Sequence, residues 1–416
     1  MRTPGSRLCI FGEVLILTGS ILLQVSCSAK ERPSDTVPVQ SSSAEEQEKT
    51  NAAAPQNTAP QNSAGAVTQT TQSGEESAPL SHLDINLQKN LAYIKDTSFQ
   101  GTILVARDGE IVFEESYGYA DIGQKVFNKE ETRYEIGSVT KQFTAVGLMM
   151  LVEDGEIGLD DTLNMYLPEY SHANEVTIRQ LLNMTSGVPD YVSLGLMDFA
   201  LSNIGEANGS TDYIAAYQEL CGQEFNIERV LEVMNEYDLD FVPGTNFGYS
   251  NTAYAFLSEV IERVSGMPFE DYMSECVLYP AGLASASFEA SNGTATGYLA
   301  LADSVIPIPP VDVAGEGGLR MTTADLYKWT QGFMSHEWLS KESWEEILDG
   351  GEYGYGFGIF VTADTYWHDG TTSGFISSEI MYPSIDLVII ALSNIVQVSP
   401  VISEMQQTVE EYYDLA

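Results

Sequence analysis

Positive charge is scarce in this chain: 18 Lys and Arg stand against 60 Asp and Glu in 416 residues, a formal net charge of −42. The imbalance is not confined to a tail, because residues 1–82 hold 5 basic and 8 acidic residues and leave 13 against 52 for the remainder. So acidic a surface repels phosphate backbones and anionic headgroups, which excludes nucleic acid as a partner and favours solubility. Cysteine is equally sparse. Cys9, Cys27, Cys221 and Cys276 have neither zinc-finger nor thioredoxin spacing, so no metal centre and no disulfide framework is expected. Cys221 and Cys276 can pair after export or remain buried thiols, and spacing does not decide between them. Of four histidines, His82, His172 and His336 lack motif context, and only His368 has one. The chain has no Gly-x-Ser-x-Gly elbow and no His-Glu-x-x-His helix, which removes two common routes to hydrolysis. No cofactor is expected.

What is present divides into three parts. Arg2 and Arg7 precede an apolar stretch from Leu8 to Val25, interrupted by Gly12, Glu13, Thr18, Gly19, Ser20 and Gln24, in the manner of a secretory signal. Ser26-Cys27 then resembles the lipobox of bacterial lipoproteins, although Gln24 stands where an aliphatic residue is usual. The resemblance implies export, with lipidation of Cys27 as the only membrane attachment. Residues 28–82 form a linker rich in Ser, Thr, Gln, Asn, Ala and Pro; up to residue 80 it has five prolines and no aromatic residue. It cannot build a core, and as a flexible tether it would span on the order of 40 Å. Ordered patterning begins near residue 83.

The domain from 83 to 416 carries strands at both ends and helices between them. Leu83, Leu87, Leu91 and Ile94 repeat at helical spacing, and strands 102–106 and 111–114 flank an Asp108-Gly109 hairpin. Helices are predicted around 143–152, 178–184, 227–234, 253–264 and 323–333. Strands follow at 355–361, 366–371, 376–381 and 387–392, before a closing helix over 402–413. The economical solution is an α/β architecture: an antiparallel sheet built from both termini and flanked by helices, with a helical subdomain inserted. The sheet part comprises about 83–137 and 285–416, the helical part about 138–284. Residues 195–240 exceed a minimal connection and are expected to border the mouth of the site.

Everything chemical is placed relative to Ser138. In Tyr134-Glu-Ile-Gly-Ser-Val-Thr-Lys141 the serine and lysine lie three apart, on one face of a helix entry. The run Phe143 to Val152 is apolar nearly all round, which marks an enclosed helix that desolvates the amine. A lysine serves as a base only when its ordinary pKa of about 10.4 is lowered. Ser-x-x-Lys alone is weak, since a serine N-cap and a solvated lysine would read the same, and nine lysines make a chance match ordinary. Two further patterns follow in order, Tyr249-x-Asn251 and His368-x-Gly370.

The longer stretches are more specific. Tyr134–Lys141, Leu181-Leu-Asn-Met-Thr-Ser-Gly187, Pro243-Gly-Thr-Asn-Phe-Gly-Tyr-Ser-Asn251, Pro280-Ala-Gly-Leu283, Gly315-Glu-Gly-Gly-Leu319 and His368-Asp-Gly-Thr-Thr-Ser-Gly-Phe375 together resemble the class C β-lactamase and serine DD-peptidase family, over about residues 84–415. The resemblance implies that Ser138 attacks a carbonyl, that Lys141 and Tyr249 share its proton, and that the backbone NH groups of Ser138 and Thr371 hold the oxyanion. It further implies that Asn251 bonds the substrate amide or joins the proton network, that His368 stands where many members have lysine, and that Gly370 lets substrate approach the strand. Asp369 departs from the family's usual threonine, and a carboxylate there is expected to repel anionic substrates. Uncharged esters or amides are therefore expected to be processed better than penicillin. The implied partner is a small-molecule or peptide substrate, such as a cell-wall peptide, and the protein is expected to be a monomer.

Overall fold

The computed structural model describes residues 83–194, 226–300, 305–308, 314–372, 374–396 and 400–415. The export segment, Cys27, the linker, Cys221 and residues 195–225 of the insert lie outside the described residues. No helix among the described residues is long and apolar enough to cross a membrane.

Helix α1 (Ile85–Leu91) opens on Asp84, whose carboxylate accepts from the Asn86 and Leu87 amides. Strands β1 (Gly101–Arg107) and β2 (Glu110–Tyr117) follow. Asp108 and Gly109 between them both have positive φ, 53° and 78°, the conformation a tight hairpin with an Asp-Gly turn requires. Next come the short β3 (Tyr134–Glu135), α2 (Thr140–Glu153), α3 (Ile178–Leu182), α4 (Ile227–Met234) and α5 (Asn251–Ser265). The last third holds β4 (Arg320–Met321), α6 (Thr323–Met334), β5 (Phe360–Val361), β6 (Tyr366–Thr372), β7 (Phe375–Tyr382), β8 (Leu387–Ser393) and α7 (Val401–Tyr412). Six of these strands form one antiparallel sheet in the order β2-β1-β8-β7-β6-β5, so the two ends of the domain meet in its middle.

Both central strands are apolar along nearly their whole length because both faces are covered. Side chains alternate across a strand. Leu104 and Ala106 of β1, with Val388, Ile390 and Leu392 of β8, join the core shared with α2, α5 and α6. Ile103, Val105, Leu387, Ile389 and Ala391 face the opposite way, onto α1 and α7 through Leu87, Leu91, Val401, Met405 and Val409. Each fully buried aliphatic side chain contributes about 1.5–3 kcal/mol, and together they fix the register, since a one-residue slip would exchange the two faces.

The strand expected over 355–361 is mostly absent. Gly358, at φ 75°, turns the chain out of an extended path, and only Phe360 and Val361 pair with β6, opposite Trp367 and Tyr366. Past Trp367 the outer edge of β6 has no strand partner among the described residues. Residues 368–372 are thereby left as an open sheet edge beside Ser138.

Candidate active site

Ser138 sits in a 3-10 turn, Gly137–Val139, that leads into α2. Two glycines bring this turn against β6. Gly137 has φ 49°, and a Cβ on it would lie 3.2 Å from the Thr371 amide nitrogen; a Cβ on Gly370 would lie 2.2 Å from the Ile136 carbonyl oxygen. The Ser377 hydroxyl donates to that same carbonyl at 2.7 Å, locking turn to sheet. The turn that carries Ser138 is thus packed by its backbone against the strand that carries Thr371. Helix α2 is enclosed as its composition predicts: Lys141 and Phe143 are both 0% exposed.

Inside this enclosure the Lys141 Nζ makes a full set of contacts. It donates to Ser138 Oγ at 3.0 Å, to Asn251 Oδ1 at 2.7 Å and to the Glu316 carbonyl at 2.9 Å. Three oxygens surround the nitrogen, as many as a lysine side chain can serve. The rings of Tyr249 and Tyr254 lie 5.1 and 5.7 Å from the charge, within cation–π range. Burial raises the Tyr249 phenol above its ordinary value, opposed by the Lys141 charge and by hydrogen bonds with Ser138 and Lys141. Tyr249 is held by its flanks. Gly248 N donates to Met184 O at 2.9 Å, Gly244 N to Thr185 O at 2.8 Å, and Ser250 Oγ caps α5 by accepting from Ala253 N. These contacts give the Leu181–Gly187 and Pro243–Asn251 stretches their structural meaning.

His368 closes the other side. Its Nδ1 lies 2.6 Å from the Asp369 carbonyl oxygen and so carries the proton, and Nε2 accepts from Tyr355 Oη at 3.2 Å. Burial and, next, the Lys141 charge push the imidazole down to about 3, so this group is neutral where a lysine would be charged.

Two expectations need correction. Asp369 does not face the reacting groups: it lies on the same side of β6 as Trp367, whose ring packs in the core under α1 and α7. Its Oδ1 accepts from Ser378 Oγ, which in turn accepts from Gln406 of α7. Burial raises this carboxyl to about 6, partly offset by Ser378. Strand alternation therefore removes the direct repulsion expected from Asp369. Gly370, in turn, makes room for the protein's own Ile136 carbonyl and Ser377 hydroxyl rather than for substrate. Of the insert, residues 226–240 pack against the N-terminal end of α5: Met234 Sδ is 3.7 Å from Thr252 Oγ1, and Asp240 N donates to Gly187 O.

Sequence reasoning gave no role to Glu316, Tyr191, Tyr355 or Glu379. Glu316 stands inside the glycine-rich stretch Gly315–Leu319, and an acidic residue there was the available signal. Glu379 pairs in register with His368 and is 0% exposed. Its Oε2 accepts from Gln142 Nε2 at 2.6 Å, and Gln142 Oε1 accepts from Trp329 Nε1 at 2.7 Å. Its Oε1 has no partner among the described residues. Burial pushes this carboxyl to about 8, with Gln142 opposing. A raised carboxyl stabilises the fold fully below the unfolded value near 4.5, and that contribution is lost as pH rises through about 8. Thermal melts are expected to show Glu379→Gln gaining on wild type between those limits, by on the order of a few kcal/mol. A difference between the two that does not change with pH would show the carboxyl to be ionised throughout.

Comparison with known proteins bears on the family and the fold. The β-lactamase family model matches residues 92–406. Penicillin-binding protein 4* of Bacillus subtilis is 29% identical over 344 residues, covering 74% of this chain and 72% of that protein. Among solved structures, a penicillin-binding protein from Bacillus halodurans superposes with a TM-score of 0.65 at 24% identity, over 79% of this chain and 99% of that one. A D-amino acid amidase from Ochrobactrum anthropi superposes at 0.61 with 20% identity, over 79% and 98%. The chain belongs to the β-lactamase family of serine hydrolases.

Proposed function

We propose that the protein is an exported, lipid-tethered serine acyl hydrolase that acts on an ester, amide or peptide through an acyl-Ser138 intermediate. The observation that carries this reading is the contact of Ser138 Oγ with Lys141 Nζ at 3.0 Å beside the Tyr249 phenol, at the open edge of β6. Ser138 attacks the carbonyl carbon, its proton passes into the Lys141–Tyr249 pair, and Tyr249 returns a proton to the leaving group. The NH groups of Ser138 and Thr371 take the oxyanion. Asn251, bonded to Lys141, acts in the proton network. Neutral His368 offers no cation to a substrate carboxylate, which favours uncharged acyl groups. Phe247, 5.8 Å from the Tyr355 ring and 5.9 Å from the half-exposed Tyr353, extends an aromatic wall from Tyr249 to the surface that suits an apolar acyl chain.

A second reading, D-Ala-D-Ala carboxypeptidase or β-lactamase proper, is favoured by the turning away of Asp369. Rates on p-nitrophenyl butyrate, nitrocefin and an acyl-D-Ala-D-Ala peptide separate the two. The ester is expected to be turned over best, and Asp369→Thr is expected to leave the order unchanged. Efficient nitrocefin or peptide cleavage by wild type would put the second reading first. If neither a fluorescent penicillin nor a fluorophosphonate labels wild type, the chain is a binding protein on this fold. Tethering through Cys27 is tested by Cys27→Ser, which is expected to release the protein from the membrane fraction.

A further inference from the structure

Glu316 is a carboxylate that the acyl transfer just described does not use, yet it meets the amine at the centre of it. It is 6% exposed. Its backbone carbonyl accepts from Lys141 Nζ at 2.9 Å, and its side-chain Oε2 lies 3.7 Å from the same nitrogen. The other oxygen, Oε1, accepts from the Tyr191 hydroxyl. Tyr191 is itself fixed, with its amide donating to Thr252 Oγ1 at 2.8 Å, and the preceding Asp190 accepts from the Asn251 amide at 2.9 Å. Asp190 and Tyr191 therefore brace Asn251 and Glu316, both of which contact Lys141.

We propose that Glu316 is a positioning residue that supplies the counter-charge of Lys141 and thereby sets the pH at which the Lys141–Tyr249 pair can take the Ser138 proton. The proposal rests on the acyl-transfer reading. The groups facing the pair are Ser138, Asn251, Tyr254, Tyr355, His368 and Glu316. Ser138 and Asn251 are uncharged, His368 is held neutral, and burial raises the phenols of Tyr254 and Tyr355 well above their ordinary values. Glu316 is the negative charge of this set, and Asp190 stands one step further out on the Asn251 amide. A buried carboxylate favours the proton on a nearby phenol. For Tyr249 the Glu316 charge acts in that direction, upward. The consequence is a stronger base that is available only at higher pH.

Phosphonylation by a fluorophosphonate reads this without assuming a natural substrate. Ser138 Oγ forms a bond to phosphorus, the P–F bond breaks with fluoride leaving, and the hydroxyl proton enters the Lys141–Tyr249 pair. The second-order rate of wild type is expected to rise with pH as the pair loses one proton. In Glu316→Gln, similar in shape but uncharged, the rise is expected about 1–3 pH units lower, with a lower plateau because the base is weaker. The two profiles then cross. Glu316→Asp, which keeps the charge, is expected to keep the rise near the wild-type pH. Should the Gln variant fail to fold by circular dichroism, Glu316→Ala gives the same test, the rise moving down and returning on addition of formate. A rise at the wild-type pH in a folded, uncharged variant, with only a uniform loss of rate, would reduce Glu316 to a packing residue and overturn the proposal. Wild type that fails to react at any pH would overturn the acyl-transfer reading itself, a separate outcome.

Discussion

Tyr249→Phe and Lys141→Ala are each expected to lower kcat/KM on p-nitrophenyl butyrate by about 10²- to 10⁴-fold, the range for loss of a positioned proton-transfer group. The two differ in what else they do. Tyr249→Phe keeps the ring that packs edge-on against Tyr355 at 6.1 Å and flanks the Lys141 charge at 5.1 Å, so its melting temperature is expected to stay near wild type. Lys141→Ala leaves Asn251 Oδ1, the Glu316 carbonyl and the Glu316 carboxylate without the amine they share. A buried charge that loses its partner costs about 3–5 kcal/mol, so this variant is expected to be less stable as well as slow. The double variant is expected to be little slower than either single one, because the two groups handle one proton as a unit. Wild-type turnover in both single variants would place the base elsewhere.

The parts of this design that were legible in the sequence are those written in local pattern. The apolar runs Thr102–Ala106 and Leu387–Leu392, the first with its Asp108-Gly109 turn, gave the central strands, and the apolar run after Lys141 gave the enclosed helix. The spacing of Ser138 and Lys141 likewise gave their contact, at 3.0 Å. What was not legible depends on which face a residue takes and on partners far along the chain. Asp369 was read by its place in a motif, whereas its surroundings follow from sharing a strand face with Trp367 and from Ser378 and Gln406. Glu316 is 175 positions from Lys141, and no periodicity joins them. The strand expected over 355–361 failed because glycines at 356 and 358 interrupt the run of Tyr355, Phe357 and Phe360. Glu379 has no local signal within its strand, and only the helices on both faces of the sheet make it a buried acid.

The second large effect is structural and lies just upstream of Ser138. Glu135 and Arg320 are register partners on β3 and β4, and their side chains form a buried ion pair at 2.7 Å, with relative side-chain exposures of 0% and 9%. The arginine also donates to the carbonyls of Phe288 and Gly318. The second Glu135 oxygen accepts from Thr372 Oγ1 at 3.2 Å, and Thr372 follows Thr371, so the pair ties the segment that leads to Ser138 to the strand edge opposite it. Removing one partner leaves the other charge buried and unpaired. Glu135→Gln and Arg320→Met are each expected to destabilise the fold by about 3–5 kcal/mol, read as a fall in urea midpoint at unchanged slope. Replacing both charges with apolar side chains of similar volume is expected to recover most of that stability. It is not expected to recover turnover, because the tie to Thr372 is gone and the spacing of the Ser138 and Thr371 amides is then free to relax. Loss of one oxyanion donor costs about 10²- to 10³-fold, which bounds the effect from above. A double variant as active as wild type would show that the ion pair holds the fold together without holding the oxyanion site in shape, and unchanged midpoints in both single variants would remove it from the stability of the domain altogether.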